Sequence, residues 1–217
     1  MSRESRSRND GPLLIPLEIA QALNSSRLAE IRAQLAPLFP SKRPITLEIG
    51  SGHGHFLTAY AAAHPERFCI GIDLIADRLE RSARKSTRAK LTNIFWLRAE
   101  ALLFLEALPA DTALAEIFVL FSDPWPKRRH WKNRVLQPEF LSLLAGRAGQ
   151  GARLHFRTDH APYFQQASEF INRHPDWSIG ADDPWPFELA TVFQQRAEGH
   201  QSLVARKTGT FMRESST

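Results

Sequence analysis

Cysteine is nearly absent from this chain: Cys69 is the only one in 217 residues. It lies in the apolar run Phe68-Cys69-Ile70, so neither an internal disulfide framework nor a cysteine-based zinc site is available. A reducing compartment, the cytoplasm, is the expected setting. Long hydrophobic runs are also missing. The first apolar stretch, Leu13 to Ile19, is broken by Pro16 and Glu18, and nothing approaches the ~20 apolar residues of a membrane span. We therefore expect no signal peptide, no anchor and no membrane partner. The eight histidines form no ligand cluster with carboxylates, and His53 and His55 have no second pair nearby, so no metal site is expected. Repeats, heptads and low-complexity tracts are lacking too. Acids are missing from one place in particular. Between Pro124 and Pro138 there is none, yet Lys127, Arg128, Arg129, Lys132 and Arg134 all fall there.

What is present suits one α/β domain. A chain of this length buries roughly 70–75% of its unfolded surface. Residues 1–12 (MSRESRSRNDGP) are rich in Ser and Arg with little to bury, which predicts a disordered basic tail ahead of a single domain over 13–217. Lys and Arg number 28 against 23 Asp and Glu, a formal charge of +5. That balance permits a polyanionic partner without requiring one. Oligomeric state, monomer or homodimer, is left open.

Leu28, Ile31 and Leu35 predict an amphipathic helix from a cap at Asn24 or Ser25, closed by Pro37 and Pro40. A regular alternation then begins. Strands are expected at Ile45–Ile49, Phe68–Leu74, Ile94–Arg98, Ile117–Phe121 and Ala152–Arg157. Between them, helices are expected at Phe56–His64, Asp77–Lys90, Glu100–Leu108, Pro138–Arg147 and Ala161–His174. Two last strands follow, at Trp177–Ile179 and Ser202–Arg206. This rhythm implies crossover connections, a mainly parallel sheet and helices on both faces.

The fourth strand is apolar throughout, as suits burial on both faces. It is expected to stop at Asp123, where Pro124-Trp125-Pro126 removes backbone donors and favours extended geometry. Ligands gather at the carboxyl ends of strands in open α/β sheets. A carboxylate, an indole and five cations on one such loop suit a flat heterocycle attached to phosphates, a nucleotide within a nucleic acid. Trp125 and Trp131 are each suited to stack on a base or to pack beneath the loop. A later string, Asp183-Pro184-Trp185-Pro186, copies the first, but it lacks a strand leading directly into it and cations after it, so the echo reads as coincidence.

Glu48-Ile49-Gly50-Ser51-Gly52-His53-Gly54-His55-Phe56 follows the first strand and opens a helix, the context of a nucleotide loop. A dinucleotide fold would place its third glycine five positions after the first, where this chain has His55. Glu48 would also repel a pyrophosphate. S-adenosylmethionine, with a sulfonium, an ammonium and no phosphate, fits that acid where NAD does not. Asp73, ending the second strand, is placed to accept ribose hydroxyls or to cap the next helix. Glu100 is placed to accept from the adenine amine or to favour a helix N-terminus.

Taken together, Glu48 to Phe56, Gly71-Ile72-Asp73, the string from Asp123 to His130, Arg157-Thr158-Asp159 and Thr191-Val192-Phe193 resemble the bacterial tRNA (guanine-N7)-methyltransferases, over about Ile45 to Lys207. The resemblance implies a class I, Rossmann-like methyltransferase fold: a mainly parallel central sheet, helices on both faces and an antiparallel C-terminal hairpin. It also implies methylation of N7 of a guanine in the tRNA variable loop. By position, Glu48, Gly50, Gly52, Gly54, Asp73, Glu100 and Asp123 match the family's cofactor contacts, with Asp123 also its catalytic residue. Lys127, Arg128, Arg129, Asp159, Thr191 and Phe193 match substrate contacts. Gln194 stands where the family usually carries Glu, and an amide supplies no charge. Two other readings stay open: methyl transfer to a nitrogen of DNA, protein or a small amine, and a catalytically silent tRNA-binding relative.

Overall fold

The computed structural model describes residues 17–39, 43–180, 183–189 and 199–209. Seven strands form one sheet: β1 (Ile45–Ile49), β2 (Phe68–Asp73), β3 (Ile94–Arg98), β4 (Leu114–Leu120), β5 (Ala148–Thr158), β6 (Trp177–Ile179) and β7 (Gln201–Lys207). Their spatial order is β3-β2-β1-β4-β5-β7-β6. The first five pair in parallel, while β7 runs antiparallel to both β5 and β6. Among the described residues six α-helices accompany them: α1 (Leu17–Leu35), α2 (His55–Ala63), α3 (Ala76–Arg88), α4 (Ala101–Ala107), α5 (Pro138–Arg147) and α6 (Ala161–Arg173).

β1 is the middle of the parallel part and all five of its residues are buried, Glu48 among them. The chain leaves β1 toward β2 on one side and later returns to β4 on the other. The order therefore reverses between β1 and β4, and the crevice above their carboxyl ends is where such sheets take ligands. One core lies under α1, α4, α5 and α6 and includes Ile31, Leu35, Leu47, Leu105, Ile117, Leu141, Phe156 and Tyr163. The opposite face is covered by α2 and by Trp96, Trp185, Phe187 and Leu189, over Cys69, Phe118 and Leu120. Among the described residues no helix is long and apolar enough to cross a membrane.

Several expectations need correction. α1 begins at Leu17, so Asn24 and Ser25 lie inside the helix and cap nothing. No Pro or Gly interrupts Leu17–Leu35, and a mid-helix Asn or Ser costs only about 0.5 kcal/mol. β4 starts three residues early and ends at Leu120, because Phe121 turns left-handed with φ of 49°. β5 starts four residues early, where Ala148 pairs with Leu114 across an irregular register. Nor is the second Asp-Pro-Trp-Pro string idle. It follows β6 closely, and Asp183 accepts a 2.6 Å hydrogen bond from Arg206 Nε. The Arg157 guanidinium lies 3.9 Å from the centre of the Trp185 ring. The segment is a cover for β5 and β7.

Candidate active site

The turn after β1 is held to β2. The amides of Gly50 and Ser51 both donate to the Ile72 carbonyl at 2.9 Å. Gly50, Gly52 and Gly54 all have positive φ, at 72°, 55° and 64°, a region that glycine enters without steric cost. The Cα positions of Gly50 and Gly52 face open space, with nothing within 4 Å of where a Cβ would stand. Gly54 differs. A Cβ there would meet Trp96 Cη2 at 2.5 Å and Ser82 Oγ at 2.6 Å, so this glycine lets α2, α3 and β3 close together.

Asp73 ties the turn down. Its Oδ2 accepts from the Gly52 amide and its Oδ1 from the Ile75 amide, each at 2.9 Å. A carboxylate has about four acceptor sites, so two remain for hydroxyl donors in the crevice. Glu48 lies beneath the turn, 4% exposed, and its Oε2 has no hydrogen-bond partner. Burial pushes its carboxyl up to about 8, with Asp73 adding to the rise and the Leu57 amide and Lys85 opposing it. A buried carboxylate without a cation is costly, so the group holds its proton unless a cation arrives. Glu100 does cap α4, its carboxylate accepting from the Leu102 amide at 3.4 Å.

After β4 the chain bends sharply, with Trp125 as well as Phe121 at positive φ, 44° and 49°. Non-glycine residues in this region carry strain and cluster at functional loops. Asp123 Oδ1 accepts the Trp125 amide at 2.9 Å, an Asx turn that bends the loop across the crevice. A short 3-10 helix over Arg128–Asn133 follows. Here the sequence reading of five outward cations fails for one. Arg134 is 2% exposed, donating from Nε to the Pro124 carbonyl at 2.7 Å and from Nη1 to Gln166 Oε1 at 2.8 Å. Its guanidinium lies 4.3 Å from the Trp131 ring centre and 4.9 Å from that of Tyr163. Lys127, Arg128, Arg129 and Lys132 remain exposed. Trp131 thus packs beneath the loop and Trp125 lines the crevice.

These parts enclose a cleft of about 1120 Å³ that brings Glu48, Gly50, Gly52, Asp73, Glu100 and Asp123 together. Lys132 of the basic loop lines it as well, whereas Gly54, Lys127, Arg128, Arg129 and Asp159 are not part of its wall, the three cations being exposed on the same loop as Lys132. The cap of α6 is His160, whose Nδ1 accepts the Tyr163 amide at 3.2 Å, rather than Asp159. Thr191, Phe193 and Gln194 lie outside the described residues. Sequence reasoning missed three apolar residues of the cleft, Leu74, Ile75 and Leu102, exposed at 62%, 44% and 41%. Their signal was their place within two residues of Asp73 and Glu100, just past the carboxyl ends of β2 and β3.

Comparison with known proteins decides the family. Residues 42–212 match a family model described as putative methyltransferase. The tRNA (guanine-N(7)-)-methyltransferase of Chromohalobacter salexigens is 33% identical over 182 residues, 80% of this chain and 74% of that protein. The chain belongs to the tRNA (guanine-N(7)-)-methyltransferase family. The enzyme of that name from Streptomyces coelicolor is 39% identical over 143 residues, 66% of this chain, and the match spans about half of that protein, 53%. Among solved structures, the 16S rRNA methyltransferase KamB superposes with a TM-score of 0.56 at 19% identity, covering 85% of this chain and 94% of that one. The aminoglycoside resistance methyltransferase NpmB1 gives 0.54 at 18% identity, covering 82% and 93%. At such identities these two speak for the fold alone. They support the class I methyltransferase architecture, with its antiparallel C-terminal strands.

Proposed function

We propose that this chain methylates N7 of a guanine in the variable loop of tRNA, with S-adenosylmethionine as methyl donor, in the cytoplasm. The observation that carries the reading is one cleft that combines a buried acid with an unpaired oxygen, an aromatic wall, and Lys132 from a loop that exposes three further cations. A cationic cofactor would draw the proton off Glu48 and pair with its carboxylate, whereas a phosphate-bearing one would keep Glu48 protonated and without a charged partner.

The residues fit that donor. Glu48 would face its ammonium end and the bare Cα atoms of Gly50 and Gly52 would let it approach the backbone. Asp73 would take ribose hydroxyls, and Leu74, Ile75 and Leu102 would cover the adenine. The donor supplies an electrophilic methyl group. Guanine N7 has an in-plane lone pair and no proton, so the chain needs no base to activate it. Its task is orientation, which can supply up to ~7–11 kcal/mol of a barrier. Trp125 would stack on the base, and Asp123 would counter the positive charge that the purine ring gains. Lys127, Arg128, Arg129 and Lys132 would hold phosphates.

Borohydride–aniline treatment cuts RNA at 7-methylguanine. After incubation with S-adenosylmethionine and an unmodified tRNA transcript, one cut in the variable loop is expected; no cut, or a cut elsewhere, overturns the proposal.

A further inference from the structure

A second cationic surface adjoins the cleft and takes no part in the reading above. Arg81, Arg84, Lys85 and Arg88 stand at i, i+3, i+4 and i+7 of α3, so they share one face of the helix. With His53 and His55 they line a basin of about 710 Å³ in which no acid takes part. His53 and His55 also line the cleft, so the two hollows meet across this pair.

Like charges at these spacings repel and weaken a helix. Little here offsets that. Glu80 lies 3.9 Å from Arg84, with both side chains about two-thirds exposed at 67% and 66%, a pairing that water screens almost entirely. Lys85 is held in place, its Nζ donating to the His53 carbonyl at 2.8 Å. Burial and then Arg88 lower its pKa, while burial, Lys85 and His53 lower that of His55. Arg81, Arg84 and Arg88 are exposed. A helix that keeps four cations on one face is relieved by an anion that spans them. Seven residues of helix cover about 10 Å, a span that needs an extended polyanion rather than a single phosphate.

We infer that the RNA backbone leaving the cleft over His53 and His55 continues along α3, where Arg81, Arg84 and Arg88 hold phosphates remote from the methylated base. The inference rests on the tRNA reading and deepens it. The cleft is lined by His53 and His55 and by Lys132 of the basic loop, so RNA that follows both cationic surfaces is held at two places around the base it presents.

The test is the triple variant Arg81→Gln, Arg84→Gln, Arg88→Gln, with Arg173→Gln as control. Arg173 is exposed at the end of α6, at the opposite edge of the sheet. Binding of unmodified tRNA is measured between 50 and 200 mM KCl, together with steady-state methyl transfer. Each phosphate contact contributes about 0.7 to 0.9 to the slope of log K against log salt. The triple variant is expected to lose about 2 to 2.7 from that slope and to raise KM for tRNA at least about tenfold, with kcat and the affinity for S-adenosylmethionine unchanged. Should the triple variant unfold, Arg84→Gln alone is expected to lose about 0.7 to 0.9. A native slope and KM in the variants overturns the inference, as does a loss in Arg173→Gln equal to that in Arg84→Gln, which would mean that net charge alone is being read. Failure of the native chain to bind tRNA would instead refute the functional reading on which the inference stands.

Discussion

Arg134 donates its Nε proton to the carbonyl of Pro124 across 2.7 Å, so the last cation of the basic run holds the first proline of the loop it follows. The guanidinium grips the loop from inside, wedged between Trp131 and Tyr163. Arg134→Lys keeps the charge but lacks the planar fork. We expect Arg134→Lys to lower kcat at least about tenfold, with cofactor affinity nearly native. Arg134→Ala should in addition cost about 2–4 kcal/mol of stability by leaving buried acceptors unpaired. Native kcat in either variant would show that the loop holds its shape without this clamp.

Asp123 carries two duties that one pair of substitutions separates. Its Oδ1 shapes the turn through the Trp125 amide, and its charge faces the cleft. Asn keeps the acceptor and loses the charge. If charge is what matters, Asp123→Asn and Asp123→Ala should both lower kcat by about a hundredfold, the order that such electrostatic groups contribute. If only the turn matters, Asn will be nearly native and Ala will not. Single-turnover rates with bound cofactor decide between them.

Glu48 links folding, pH and cofactor. Unfolded, its carboxyl titrates near 4.5; folded, near 8. Between these values the folded chain keeps a proton that the unfolded chain gives up. Its contribution to stability is therefore fully present below pH 4.5 and is lost as the pH rises through 8. Without cofactor, Glu48→Gln should flatten the loss of stability between about pH 4.5 and pH 8, read by denaturant titration. A cationic ligand favours the ionised form, so binding at pH 7 should release about one proton. Calorimetry in two buffers of different ionisation enthalpy reads this directly, and an enthalpy independent of buffer would contradict it.

The glycines of the turn should fail in different ways. Gly52→Ala meets no atom, so the fold loses only the left-handed penalty of about 1–2 kcal/mol, while the new methyl intrudes on the cleft and weakens cofactor binding. Gly54→Ala collides with Trp96 and Ser82 and should cost the fold more, about 2–4 kcal/mol. Thermal unfolding with and without S-adenosylmethionine distinguishes the two. A larger loss of stability in Gly52→Ala would contradict this account of the turn.

The alternation of strands and helices was legible because buried parallel strands write themselves as apolar runs. Ile94–Arg98, Pro138–Arg147 and Trp177–Ile179 fall where the pattern puts them. The glycine turn, Glu48, Asp73, Glu100 and Asp123 were legible from their order along the chain, since the carboxyl ends of successive strands share one edge. Direction of a side chain was not. A basic run does not distinguish Arg134, turned inward onto Pro124, from its neighbours turned outward, because the partners Gln166 and Tyr163 lie about thirty residues away. The same holds for the second Asp-Pro-Trp-Pro string, whose partners Arg157 and Arg206 sit on other strands. The reach of α1 back to Leu17 was hidden by Asn24 and Ser25, residues that cap helices elsewhere and are merely tolerated here.

The most direct measurement is methyl transfer from labelled S-adenosylmethionine to unmodified tRNA, followed by digestion to nucleosides and mass spectrometry. Label is expected in 7-methylguanosine alone. Label in another nucleoside, or none while the cofactor demonstrably binds, would contradict it.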